Sequence, residues 1–66
     1  MSLTLRAWRR AKEISQQEMA DKLHIHVNTY QNWEYNPEQI GIGNAMKICE
    51  ILGVSLNDVE FVADEA

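Results

Sequence analysis

Disulfide stapling is excluded for this chain, because it carries a single cysteine, Cys49. A lone thiol also fits a reducing compartment better than a secreted scaffold. Long apolar runs are missing too: the longest uninterrupted stretches cover only a few residues, and the N-terminal region has no apolar segment of signal-peptide type. Neither a membrane span nor a targeting segment is expected, and the reading is a cytoplasmic protein. Sustained period-two alternation bounded by turn dipeptides occurs nowhere, which argues against strands. Proline appears once, at Pro37, and marks the segment from Tyr35 to Gly41 as a loop. With 66 residues the chain has no room for a second domain, so residues 1–66 are read as one. A domain of this size buries only roughly 60% of the surface its unfolded chain exposes. The core must therefore come from the hydrophobic residues, which make up 45% of the sequence.

Positive charge is scarce overall and unevenly placed. The formal net charge is −4. Up to Leu23, however, Arg6, Arg9, Arg10, Lys12 and Lys22 outnumber Glu13, Glu18 and Asp21. From His24 onward Lys47 alone opposes Glu34, Glu38, Glu50, Asp58, Glu60, Asp64 and Glu65. A polyanion would meet a mildly basic front while the acidic rear faced away.

What is present is helical periodicity punctuated by caps. Leu5, Trp8 and Ala11 recur every third residue and predict a first helix ending near Lys12 or Glu13. Ser15 followed by Glu18 has the spacing of a capping box, and Ile14 with Met19 that of a hydrophobic staple, so a second helix starts there. Met19, Ala20 and Leu23 form its inner face. After His24, Ile25 and His26, the residues Val27, Tyr30 and Trp33 return at three-residue steps and define a third helix. Its outer side carries Asn28, Thr29, Gln31 and Asn32, a row of neutral amides and a hydroxyl. Ile42, Ala45, Met46, Cys49 and Leu52, widened by Ile48, mark the buried face of a fourth helix, which Gly53 ends as a left-handed cap. Ser55 with Asp58, and Val54 with Val59, repeat the cap and staple of a short fifth helix. The last residues, from Ala63 to Ala66, fray.

From Gln16 to Trp33 the apolar positions are Met19, Leu23, Ile25, Tyr30 and Trp33, with the small Ala20 where two helices would touch. This pattern resembles the lambda-repressor or Cro-like family of helix-turn-helix proteins, also called the XRE family, whose second helix begins with a serine-glutamine pair as Ser15-Gln16 does here. Leu5, Trp8 and Arg9 stand where the family has its first-helix leucines and arginine. Glu34 stands where its third helix ends in glutamate, and Lys47 to Ser55 is similar to its fourth-helix ending. The likeness runs without a gap from about Leu5 to Phe61.

The resemblance implies an all-α, five-helix lambda-repressor-like fold, with a helix-turn-helix made by helices of about 16–23 and 27–35. It also implies a dimeric, sequence-specific transcriptional regulator of double-stranded DNA, Cro-like or repressor-like, similar to many short phage or prophage relatives. Val27, Asn28 and Asn32 would meet base edges in the major groove: an Asn amide pairs with adenine N6 and N7, and Val27 suits a thymine methyl. Ser15, Gln16, Gln31 and Tyr35 would contact the DNA backbone, Gln16 with help from the positive end of its helix. Arg9 and Glu34 would form an ion pair between the first and third helices. The chain departs from the family pattern in three ways. His24 replaces the usual turn glycine, the third helix has no Arg or Lys, and Gly41, Ile42 and Gly43 replace a serine or aspartate cap.

Other chemistries find little support. His24 and His26 make an H-x-H pair, but a closed zinc site needs about four ligands, so no metal is expected. Cys49 lacks an electropositive neighbour and an orienting third group, so no enzyme is proposed, and no cofactor, small-molecule ligand or membrane partner is expected. Trp8 and Trp33 lie on apolar stripes and belong to the core. A rival reading keeps the fold but makes it a protein-interaction module, antitoxin-like or antirepressor-like, using its acidic surface and apolar C-terminus.

Overall fold

The computed structural model describes residues 2–63. Met1 and residues 64–66, part of the segment expected to fray, lie outside the described residues. Four α-helices, α1 (Leu5–Ala11), α2 (Gln16–Leu23), α3 (Val27–Tyr35) and α4 (Ile42–Leu52), enclose the core. Two-residue strands β1 (Leu3–Thr4) and β2 (Val59–Glu60) tie the chain's two ends together as a parallel pair, with Leu3 opposite Val59 and Thr4 opposite Glu60.

Short-range chemistry sets the helix starts. Thr4 caps α1 by accepting the Ala7 N–H at 3.2 Å. The Ser15 capping box is complete: its hydroxyl accepts the Glu18 N–H at 3.0 Å, and the Glu18 carboxylate accepts the Ser15 N–H at 3.4 Å. Two otherwise orphan donors at the start of α2 are thereby satisfied. By contrast, α4 begins at Gly41 with no side-chain cap.

Three helices stop in the same way. After α1, Glu13 N–H donates to Arg10 C=O and Ile14 N–H to Arg9 C=O. His24 and Ile25 repeat the pair on Asp21 and Ala20, and Gly53 and Val54 repeat it on Glu50 and Cys49. Each end is a Schellman motif, with a left-handed residue (Glu13 φ 56°, His24 φ 58°, Gly53 φ 73°) followed by an apolar side chain packed on the core. Only Gly53 adopts that conformation without a Cβ penalty. At Glu13 and His24 the doubled hydrogen bonds and the burial of Ile14 and Ile25 offset the strain.

Leu5, Met19, Ala20, Leu23, Tyr30, Ile48, Cys49, Leu52 and Val59 form the buried cluster, with Trp8, Ile25, Val27 and Trp33 packed around it. Ala20 is fully buried, and its small side chain lets α2 and α3 approach closely. Three expectations are corrected here. On α4 the buried stripe is Ala45, Ile48, Cys49 and Leu52, whereas Ile42 and Met46 are 67% and 59% exposed. Ile42 and Met46 are one helical turn apart and line up on a side left largely open among the described residues.

The second correction concerns the C-terminal segment, which is not a fifth helix. The Ser55–Asp58 capping box forms, but only a 3-10 turn, Leu56–Asp58, follows before β2. The Trp8 indole N–H donates to the Asp58 carbonyl at 2.7 Å, tying this turn to α1. The β-branched Val59 instead pairs with Leu3 and buries its side chain, giving strands where none were expected. A second 3-10 turn, Pro37–Gln39, shapes the loop between α3 and α4. Among the described residues no helix is long and apolar enough to cross a membrane.

Candidate nucleic-acid interface

α2 and α3 are joined by three residues, His24, Ile25 and His26, turned by the left-handed His24 and anchored by the partly buried Ile25. Because α3 must bury Tyr30 and Glu34, helical periodicity sends Asn28 and Asn32 to the opposite side, where both are exposed. Thr29 and Tyr35 are exposed as well, Gln31 is half-buried on the flank facing α2, and Val27 is half-buried with its side chain against the core. The Asn36 amide approaches Asn32 Oδ1 at 3.5 Å. α3 therefore offers an outward face of hydrogen-bonding groups without a single charged side chain, its only acid, Glu34, being buried.

Beneath that face lies a polar junction of α1, α2 and α3. Arg9 Nε donates to Glu34 Oε2 at 2.5 Å, and Arg9 also donates to the Ile14 carbonyl at 2.8 Å. Both side chains are nearly inaccessible. Arg6 approaches the same carboxylate, its Nε 4.0 Å from Oε1 and without a hydrogen-bond partner of its own. Burial alone would raise the Glu34 carboxyl, but bonds from Arg9 and Gln16 outweigh it and hold the group below the usual carboxylate range. Arg9, which burial would lower, is raised by the same pair. The Tyr30 hydroxyl is buried next to them without a hydrogen bond, and burial together with the Glu34 charge pushes its ionisation well above the ordinary phenol value.

Gln16 stands at the first position of α2, and its carboxamide faces inward. Its Nε2 donates to Glu34 Oε1 at 3.0 Å, and its Oε1 accepts from Gln31 Nε2 at 3.1 Å. Sequence reasoning separated Gln16 and Gln31 from the Arg9–Glu34 pair, whereas the structure joins all four. The available signal was Gln31 standing three residues before Glu34, which puts both on adjacent turns of α3. Ser15 is exposed, with its hydroxyl engaged in the capping box.

His24 and His26 are exposed, and among the described residues no group of three or more His, Cys, Asp or Glu side chains converges. The Cys49 thiol is buried, and burial, with Asp58 nearby, pushes its ionisation upward.

Two packed helices joined by a tight left-handed turn, the second presenting an open amide face beside a buried ion pair, define a helix-turn-helix protein. The comparison with known families agrees: the sequence profile of the family described as Helix-turn-helix matches residues 5–59. The chain belongs to this XRE-type helix-turn-helix family, of the lambda-repressor and Cro kind, whose domains bind DNA. No curated protein and no solved structure gives a significant match.

Proposed function

We propose that the protein is a sequence-specific transcriptional regulator of Cro or repressor type that binds operator DNA as a dimer through the major groove. The observation that carries this reading is the uncharged, exposed face of α3 around Asn28 and Asn32, held out by a helix whose other side is locked to α1 and α2. Asn side chains read adenine by paired hydrogen bonds, and the exposed part of Val27 suits a thymine methyl. Ser15, Gln16, Gln31 and Tyr35 flank that face, where backbone contacts arise. Arg6 and Arg10 on α1 add positive charge on the basic half of the chain.

Dimerisation is supported by apolar surface left open at the other end of α3. Ile42, Met46, Leu56 and Val62 are exposed, beside a shallow groove floored by Pro37, Ile40, Ala45 and Phe61. The domain measures 28 × 24 × 23 Å between its Cα extremes. Regulation would follow from occupancy, the bound dimer excluding polymerase or a competing regulator.

A second reading, the protein-interaction module, is favoured by the net charge of −4 and by the absence of Lys and Arg from α3. Selection of bound duplexes from a random pool, at low and then near-physiological salt, separates the two. The regulator predicts a palindromic winner bound at least about a thousandfold more tightly than its shuffled control. Failure of a folded, helical protein to enrich any sequence would assign the interaction role instead.

A further inference from the structure

Beyond Glu13 the sequence carries only two lysines and no arginine, and those two, Lys22 and Lys47, stand twenty-five positions apart. The fold brings both to one groove between α2 and α4, about 290 Å³ in volume, which Glu50 and Ile51 complete. Each lysine precedes a buried residue, Leu23 on α2 and Ile48 on α4, so each leaves its helix at the edge of the seam where the two pack. Glu50 and Ile51 follow Lys47 by three and four residues and share its face of α4. No residue of α3 lines the groove, which is therefore separate from the face carrying Asn28 and Asn32.

The charges in the groove are not spent on one another. Among the described residues the ion pairs are those of Arg6 and Arg9 with Glu34, so neither lysine is paired, although Glu50 shares the groove with them. The acid next to Lys22 in sequence, Asp21, is engaged by the Gln17 amide at 2.9 Å. Attraction to a helix C-terminus accounts for Lys22, in the last turn of α2, but not for Lys47 in the middle of α4. What results is a cleft with an ammonium group from each of two helices, a free carboxylate and the partly buried Ile51.

We propose that this groove binds a small hydroxylated phosphate monoester, of the sugar-phosphate class. A phosphate monoester carries about −1.5 to −2 charges near neutrality and three acceptor oxygens, which the two lysines can share. Hydroxyls on its body donate to Glu50, which only accepts, and its carbon skeleton covers Ile51. Glu50 also sets a limit. It repels extended polyanions, so a nucleic-acid backbone fits worse than a single phosphate, and a plain dicarboxylate brings it no donor. The groove is at the lower edge of the roughly 300–1,000 Å³ of small-molecule pockets, which confines the ligand to a compact one. Occupancy ties α2 to α4 without covering the amide face of α3, and it stabilises the fold as ligand concentration rises.

The test titrates the full chain with glycerol 3-phosphate, ribose 5-phosphate and glucose 6-phosphate while backbone amide shifts are followed by NMR. Inorganic phosphate, succinate and a short polyglutamate peptide serve as comparators, at low and then physiological salt. At least one sugar or glycerol phosphate is expected to give saturable shifts confined to the end of α2 and the Lys47–Ile51 turn, to bind more tightly than inorganic phosphate, and to raise the thermal midpoint. Lys22→Met and Lys47→Met replace exposed side chains and leave the core intact. Each should weaken that binding about fivefold, the upper end for an exposed charge pair, and the double variant should abolish saturation. Glu50→Ala removes both the repulsion and the acceptor, so it should erase the preference over inorganic phosphate.

The proposal is overturned if none of the three phosphate monoesters saturates at millimolar concentration, or if binding survives in the double lysine variant. Shifts spread alike over Arg6, Arg10 and Lys12 would overturn it too, as would equal affinity for inorganic phosphate in the wild type. Groove shifts with the polyglutamate peptide alone would overturn the ligand class and make this a surface for an acidic protein segment.

Discussion

Replacing Glu34 by leucine should nearly unfold the domain, and replacing Arg9 by methionine in the same chain should largely restore it. Glu34→Leu leaves the Arg9 guanidinium buried with only the Ile14 carbonyl as acceptor, and it removes the acceptor of Gln16. Stranding one member of a buried pair costs about 3–5 kcal/mol. A chain of this length is stabilised by roughly 3–10 kcal/mol in total, so the single variant sits at or near the edge of folding. Adding Arg9→Met removes the stranded charge and supplies apolar volume, at the expense of the Ile14 carbonyl's partner. The double variant should recover all but about 1–3 kcal/mol. Urea unfolding followed by helical circular dichroism on wild type, both singles and the double gives the coupling energy, expected to be at least about 2 kcal/mol. Additive losses, or a single-variant cost below about 1 kcal/mol, would refute the argument that this pair locks α3 to α1.

Other consequences are equally concrete. Ser15→Ala opens the capping box of α2 and should cost about 1 kcal/mol of stability in the same urea assay. His24→Gly relieves the left-handed strain at the turn and should raise stability, by up to about 1 kcal/mol after the added freedom of the unfolded chain. The Glu34 carboxyl is held below its unfolded value. Its contribution is therefore present above the carboxylate range and lost as pH falls through the folded value, and the Arg9→Met/Glu34→Leu double should flatten that acid limb of a stability-versus-pH curve. Tyr30 is raised, so its contribution is complete below pH about 10 and lost as pH rises above it. Tyr30→Phe should abolish the alkaline limb of the same curve.

Features set by neighbours three or four residues apart were legible in the sequence. The Ser15–Glu18 box, the Gly53 stop and the inner residues of α2 and α3 all belong to that range, because their partners lie within one helical turn. Features set across the chain were not. The C-terminal segment is held by partners fifty or more residues away, Trp8 on Asp58 and Leu3 beside Val59, and the β1–β2 pair is too short to display any alternation. On α4 the periodicity was right, but nothing local told which side would lack a neighbour, so Ile42 and Met46 read as core. Glu13 gave no sign of its left-handed turn, being neither glycine nor asparagine. In the interface region the amide row was visible as composition on a helical face. Its connection to the ion pair needed side chains from three helices placed together.

In the proposed role, α3 reads bases while flanking residues contact the backbone. The most direct measurement titrates the selected duplex and its shuffled control with wild type, Asn28→Ala, Asn32→Ala and Gln16→Ala. The two Asn variants should lose roughly 5- to 150-fold on the selected duplex and little on the control, whereas Gln16→Ala should weaken both alike. Equal losses on both duplexes for all three variants would contradict it.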